Sequence, residues 1–342
     1  MSISDWFRRG RHANAGANGR ETAETLERIV RLTNPRLKFA RRYRACLTPA
    51  VETAMQYARE LVASVPPARD ASAAGWQSDP LMRAFFATAE DLVRAFSRSA
   101  DLRAWFEANG ACSEVCAVLS MLLAERRVLG VAYEGGVLRR DVPQTTVSFS
   151  DYRVRICGRS ETELRRDLES RIVDQLALAS LARTTQDRAQ RGVLEQENAL
   201  LRTRLRLLQG RGAGLVGLAG PSPPDGSTLA RLQSELAVNE ENLRSIASGS
   251  GALEHQLEDL SDVLANPREH FFVTPRRIRL DRMNVALADD DPAPGVTLDL
   301  QIARVPMPDG PAELRTFAFV RFQRAALLPK SALMTEAARM LQ

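Results

Sequence analysis

The chain has little lysine, histidine and cysteine, and it lacks the sequence motifs of common catalytic sites. Of its 47 basic side chains only Lys38 and Lys330 are lysines, a bias that we attribute to the codon composition of a GC-rich genome. The three histidines belong to no HExxH motif, and neither a P-loop lysine nor a GxSxG nucleophile motif occurs. The sequence therefore predicts no catalytic residue, no metal site and no cofactor.

Long apolar runs are also missing. No segment approaches the roughly 18 apolar residues that a membrane span requires. The first residues, MSISDWFRRGRH, lack the apolar core of a signal peptide. We therefore expect a cytoplasmic protein with no transmembrane segment. Trp6 and Phe7 stand beside arginines and could touch an anionic membrane surface, but the segment is too short to bind strongly, so this peripheral contact is a minor alternative.

Four cysteines are present in a chain that we expect to be intracellular, and we interpret them as free thiols. Cys112 and Cys116 would lie one turn apart on a helix. The alternative is a redox pair or half of a zinc site, but no histidine stands near them in the sequence to complete a set of four ligands.

Positive charge is concentrated at the N-terminus. Residues 1–60 contain twelve basic and six acidic side chains, a surplus that exceeds the net charge of +5 for the whole chain. Attraction to an anionic partner is therefore expected at this end. The strongest candidate is the predicted helix PRLKFARRYRACL, in which Arg36, Lys38, Arg41, Arg42 and Arg44 could contact phosphates. Its aromatic residues Phe39 and Tyr43 could stack on bases. The alternative is an amphipathic helix that buries these aromatic residues and leaves its arginines in water.

Leucines at steps of three and four residues organise the middle of the chain. This a/d spacing predicts a coiled coil, in which one apolar seam faces a partner helix. The interaction seam consists of Leu194, Asn198, Leu201, Leu205, Leu208, Leu229, Leu232, Leu236, Leu243, Ile246, Leu253, Leu257, Leu260 and Leu264. The string LEQENALLRTRL resembles a stretch of leucine zipper, with Asn198 at an a position, where a buried asparagine fixes register.

A Gly- and Pro-rich turn over 210–227 separates two seams within the segment 160–266. The turn favours an antiparallel hairpin within one chain, although parallel pairing between two chains stays open. Gly212 to Gly217 match the dinucleotide fingerprint GxGxxG, but a charged helix precedes them where the fingerprint needs a strand. We therefore interpret these glycines as part of the hairpin turn.

The remaining segments complete an α+β, predominantly α fold. Residues 1–20 are predicted to be a flexible tail, 21–134 a helical bundle and 135–158 a strand segment. The bundle includes a helix that contains Val115 to Leu123 and ends near Gly130. Residues 267–342 are predicted to form a small antiparallel β-meander with a C-terminal helix over 330–341. A hairpin returns the chain to its starting point, so strands on either side could share one sheet; a separate C-terminal domain is the alternative.

Three functions follow as hypotheses. The leading one is a non-enzymatic cytoplasmic scaffold, self-associating or binding a partner helix through the heptads of 194–264. The second is a nucleic-acid-associated protein that uses the basic segment 36–44. The third is a ligand-binding or enzymatic helical domain without a visible motif.

Overall fold

The computed structural model describes residues 19–134, 137–210, 226–247, 252–291, 293–307 and 310–331. The chain divides into two compact units. The helical unit contains Met1–Ala54 and Val173–His270, and the sheet unit contains Met55–Ile172 and Phe271–Gln342. Outside the described residues lie most of the predicted tail, most of the Gly/Pro-rich turn with its GxGxxG string, and most of the predicted C-terminal helix.

Helices and strands follow one another in distinct blocks. The helices are α1 (19–33), α2 (Tyr43–Ser64), α3 (Ala73–Ser78), α4 (Pro80–Phe85), α5 (Ala89–Arg98), α6 (Ala100–Ala108), α7 (Glu161–Gly210), α8 (Gly226–Ala247), α9 (Ala252–Ala265) and α10 (Pro267–His270). The strands are β1 (Arg69–Asp70), β2 (Glu114–Glu134), β3 (Val137–Gly158), β4 (Val273–Leu280), β5 (Ala286–Leu287), β6 (Val296–Met307) and β7 (Gly310–Gln323). Short 3-10 turns occupy Pro35–Phe39 and Arg324–Ala326.

In the helical unit, α7 lies antiparallel to α9 and α8 of the same chain. Thr184 donates a hydrogen bond to Asp259 over 3.1 Å, and Arg202 further along α7 pairs with Glu240 over 2.7 Å. The partner's number falls as the number along α7 rises, which defines an antiparallel arrangement. Of the two pairings that the sequence left open, the structure contains the one within the chain.

The sheet unit contains a seven-stranded sheet with the order β3-β2-β7-β6-β4-β5, and β1 pairs in parallel with β7. Thr146 of β3 forms an isolated bridge with Val285, just before β5. Val147 also donates its N–H to the carbonyl of Asn284 over 2.8 Å. These contacts bring the two edges of the sheet together, so the sheet curls toward closure.

This sheet corrects the predicted fold class. A small meander with a C-terminal helix is not what the structure shows, because β4, β6 and β7 belong to one large sheet with β2 and β3. Strands before and after the helical hairpin therefore share a sheet, and a separate C-terminal domain is excluded for the described strands. The sequence predicted a strand segment over 135–158, which contains β3, but it assigned the residues of β2 to the helical bundle over 21–134.

The predicted helix from Val115 to Leu123 is wrong, and with it the predicted end of the helical bundle at residue 134. These residues begin strand β2, which lies between β3 and β7. Ala117 and Leu119 on one face are fully buried, and Cys116 and Val118 on the other face are also buried. A strand that is buried on both faces reads as a continuous apolar run, and periodicity alone does not separate such a run from a buried helix.

The core of the sheet unit fills the space between the sheet and helices α3 to α6. Phe96 stacks on Phe322 of β7 with ring centroids 4.9 Å apart, and Phe86 stacks on Tyr152 of β3 at 4.7 Å. On the other face of β7, Phe319 is buried beneath the guanidinium of Arg165, which lies 4.9 Å from the ring centroid. Both faces of the central strands are thereby covered.

Candidate interaction surfaces

The predicted interaction seam faces inward at its described positions. Its buried members are Asn198, Leu232, Leu257, Leu260 and Leu264. Its half-buried members are Leu194, Leu201, Leu205, Leu229, Leu236 and Leu253. The side chains of Leu208, Leu243 and Ile246 lie outside the described part of the structure. The seam is therefore at least partly covered within the chain wherever it is described, although Leu201 also lines an open groove.

Another face of the same helices carries exposed apolar side chains. We call residues 185–206 of α7 and 229–241 of α8 the arm. In the arm, Val193 is 55% exposed, Leu200 71% and Val238 57%. Val193 and Leu200 are seven residues apart and therefore share one face of α7. A shallow groove, which we call the arm groove, is lined by Glu197, Leu200, Leu201, Ser234, Glu235, Val238 and Asn239.

Asn198 is the polar member of the seam that the structure buries. It is 4% exposed, and neither atom of its amide group has a hydrogen-bond partner among the described residues. An unpaired buried amide of this kind costs about 1–3 kcal/mol. The register-setting role of Asn198 in a coiled coil stays a prediction.

The predicted basic helix is broken into three pieces. Pro35–Phe39 forms a 3-10 turn, Arg42 has a positive φ of 62°, and α2 begins at Tyr43. Phe39, which the amphipathic alternative placed in the core, is instead 84% exposed. The break results from the Asn34-Pro35 start and from the left-handed backbone at Arg42, which turns the chain before α2 begins.

The broken segment presents a compact basic surface. We call Arg36, Lys38, Phe39, Arg41, Arg42 and Arg44 the Phe39 patch. All six side chains are exposed. Lys38 and Arg44 both pair with Glu27, and the hydrogen bond from Lys38 is the largest cause that lowers the pKa of Glu27. No ionic partner among the described residues binds the side chains of Arg36, Arg41 and Arg42.

Several arginines of the sheet unit bind backbone carbonyl groups. Arg324 donates to the carbonyls of Phe106, Cys112 and Asn109 over 2.8, 2.8 and 2.6 Å. Arg279 likewise donates to four carbonyls, those of Ala288, Asp289, Asp291 and Ala293. A planar guanidinium with five N–H donors can bind several carbonyls at once, which an ammonium group cannot do in the same geometry. Part of the arginine content is therefore used for a purpose that codon composition does not explain.

The cysteines show no arrangement for redox or metal chemistry. Cys112 precedes β2 and Cys116 lies within it, so the helical spacing that would have paired them does not exist. Burial raises the pKa of the Cys116 thiol, and it raises the pKa of Cys157 to about 11, so both stay protonated at neutral pH. Among the described residues, no cluster of cysteine, histidine and carboxylate side chains could hold a metal ion.

The sequence interpretation overlooked the outer half of the β2–β3 hairpin. Pairing of β2 with β7 ends at Leu122, whereas its pairing with β3 continues to Glu134. The ribbon beyond that point exposes Leu129 and Val131. Residues 124–134 read AERRVLGVAYE and do not alternate strictly between polar and apolar types, so this half of the hairpin carries no clear strand signal.

The chain matches no protein-family model, no curated protein and no solved structure in the three comparisons made. Within the described residues, none of the helices is both long enough and apolar enough to cross a membrane. A proposal about function therefore depends on the surfaces of this chain alone.

Proposed function

We propose that this chain is a non-enzymatic interaction protein of the cytoplasm and that its arm associates with a second copy of the chain. The observation that supports the proposal is the group of three large apolar side chains, Val193, Leu200 and Val238, each more than half exposed on one two-helix segment. Single exposed apolar residues are common on monomers. A group on one face of a helix pair is instead typical of a surface that another helix covers.

The contacts between α7 and α8 strengthen the proposal, because the exposed apolar residues are not needed to hold these two helices together. Leu232 is almost fully buried between the helices, and Arg202 pairs with Glu240 across them. The helix pair is thus held together without Leu200 and Val238. These two side chains line the arm groove, where they offer apolar area to a further helix.

Charge supports a second copy as the occupant. Besides Arg202, which pairs with Glu240 of the same chain, α7 carries Arg204 and Arg206 near the groove and Glu197 in it. The α8 helix carries Glu235, which pairs with Arg231 of the same chain, and Glu241. If two arms lie side by side with α7 of one against α8 of the other, opposite charges flank the apolar contact on both sides. This arrangement gives a symmetric contact in which both copies use the same surface.

The test is sedimentation velocity of the full chain over a range of concentrations. The wild type should form a dimer, and Leu200→Glu combined with Val238→Glu should remain monomeric, because two carboxylates would be buried in the contact. The control is Ala199→Glu with Gln233→Glu, which adds the same charge at exposed positions that do not line the groove. A wild type that stays monomeric, or a control that dissociates like the groove variant, contradicts the proposal.

A further inference from the structure

The Phe39 patch combines an exposed aromatic ring with a surplus of cations. Phe39 is the most exposed large apolar side chain among the described residues. Five cationic side chains surround it in sequence, and one carboxylate, Glu27, pairs with two of them. The remaining cations, Arg36, Arg41 and Arg42, face solvent without an ionic partner among the described residues. An anionic ligand would therefore not have to break an existing ion pair to reach them.

The backbone beneath the patch is fixed on both sides of the ring. Leu37 and Ala40 are buried, so the two residues that flank Lys38 and Phe39 anchor the turn. Asn34 accepts a hydrogen bond from the N–H of Arg36 over 3.0 Å and donates one to Gln256 of α9 over 2.7 Å. The phenyl ring thus projects from a held turn instead of a loose loop. A preorganised surface loses less conformational entropy on binding.

We propose that the Phe39 patch binds single-stranded nucleic acid, with the phenyl ring stacked on one base and Arg36, Arg41 and Arg42 on neighbouring phosphates. This inference is independent of the association through the arm. Single-stranded sites combine a positively charged surface with aromatic rings on which bases stack. A duplex does not expose base faces to such a ring, so the patch should favour single strands over duplexes.

The structure favours nucleic acid over an anionic membrane. A membrane-bound segment needs an apolar face that enters the boundary between headgroups and acyl chains. The patch supplies one phenyl ring, and two apolar residues near it in sequence, Leu37 and Ala40, are already buried in the protein. One ring can stack on one base, and guanidinium groups bind phosphates through paired hydrogen bonds. The residues present fit the nucleic-acid ligand more completely.

The test is fluorescence anisotropy of a labelled oligo(dT) strand with the full-length wild type and variants at several salt concentrations. Three phosphate contacts predict a slope of roughly −2 for the logarithm of the association constant against the logarithm of the salt concentration. Phe39→Ala should weaken binding about tenfold with the slope unchanged, because stacking is lost and charge is not. Phe39→Trp should retain binding, and its fluorescence should be quenched when the strand binds. Since Phe39 is exposed, neither change should unfold the protein.

Charge is tested separately from stacking. Arg41→Ala with Arg42→Ala should reduce the magnitude of the salt slope by roughly 1.4, the value for two phosphate contacts on a single strand. Arg204→Ala, an exposed arginine of the arm, is the control and should leave the slope unchanged. Arg8, Arg9 and Arg11 precede the described residues, so a variant with all three replaced by alanine tests whether they account for the binding alone. That variant should still lose affinity about tenfold when Phe39 is replaced.

Five results would overturn the proposal, and the first four concern binding to nucleic acid. They are no binding of the strand at low salt, equal affinity of the wild type and Phe39→Ala, complete loss of binding in the N-terminal triple variant, and binding that prefers duplex DNA. A fifth is binding to vesicles of acidic phospholipid that depends on Phe39 while the oligonucleotide is ignored. This last result would assign the patch to a membrane surface.

Discussion

The sheet unit and the arm bury their apolar side chains to very different extents. In the sheet unit, Phe86, Phe96, Phe319 and Phe322 are almost fully buried, because helices cover both faces of the central strands. Among the described side chains of the arm, Asn198 and Leu232 are buried, whereas Val193, Leu200 and Val238 are exposed. Two helices share one mutual seam, so apolar residues outside it, such as Leu200, stay exposed in a single chain. The sheet unit also exposes Leu129 and Val131 on its outer ribbon, so the contrast is between a core covered on both faces and a helix pair with one covered seam. That a second copy covers the arm is our proposal.

The largest effect is expected in the core of the sheet unit. Replacement of Phe96 by alanine removes a ring that stacks on Phe322 at 4.9 Å and leaves a cavity. The free energy of unfolding should fall by about 3–5 kcal/mol. Urea denaturation followed by circular dichroism measures this loss.

The matched control for Phe96 is Phe39→Ala, which removes the same ring from an exposed position. Its effect on the free energy of unfolding should stay within about 0.5 kcal/mol. Equal losses for the two variants would show that the burial difference between the two positions does not exist in solution.

A smaller effect is expected from Arg324→Lys in the same unit. Lysine keeps the charge but cannot reach the three carbonyls of Phe106, Cys112 and Asn109 in one geometry, so at least one would be left without a donor. The free energy of unfolding should fall by about 1–3 kcal/mol. Arg277→Lys is the control, since Arg277 is exposed and pairs with Asp299 alone in the described structure. If both substitutions lower the free energy of unfolding by the same amount, the carbonyl contacts of Arg324 contribute nothing measurable to stability.

These arginines illustrate what sequence reasoning could not find. The chain segments that Arg324 joins are more than two hundred residues apart in sequence, and no local pattern reports a backbone carbonyl as a partner. The leucine periodicity, in contrast, is a local signal, and it predicted long helices over most of 160–266. The sequence also predicted strands within 267–342, where β4, β6 and β7 lie, because alternation of polar and apolar residues is visible over a few positions.

The start of β2, which the sequence analysis predicted as a helix, is a second case in which the local pattern does not determine the structure. Val115 to Leu123 is apolar at nearly every position, which suits a strand buried on both faces as well as a helix in a core. Its neighbours β3 and β7 decide between the two, and β7 lies far along the chain. For the Phe39 patch, composition predicted the basic residues, but the sequence did not reveal that a 3-10 turn ends at Phe39 and leaves its ring exposed.

The smallest of the three stability effects is expected in the arm and has the opposite sign. Asn198→Leu replaces an unpaired buried amide by an apolar side chain of similar size, and it should raise the thermal stability of the helical signal by the equivalent of about 1 kcal/mol. Asn239→Leu is the control, because Asn239 is half-buried and donates to Glu197 over 3.4 Å. A loss of stability in Asn198→Leu would mean that the amide has a partner in solution.

Hydrogen–deuterium exchange at low and high protein concentration tests the proposed association of two arms most directly. Covering of the groove by a second copy should slow exchange of arm amides over 193–206 and 229–241 as concentration rises, while amides of β2 and β7 keep the same rates. The concentration dependence should disappear in the Leu200→Glu, Val238→Glu variant. Arm amides whose exchange rates do not change with concentration would contradict the account, as would slowing confined to the sheet unit.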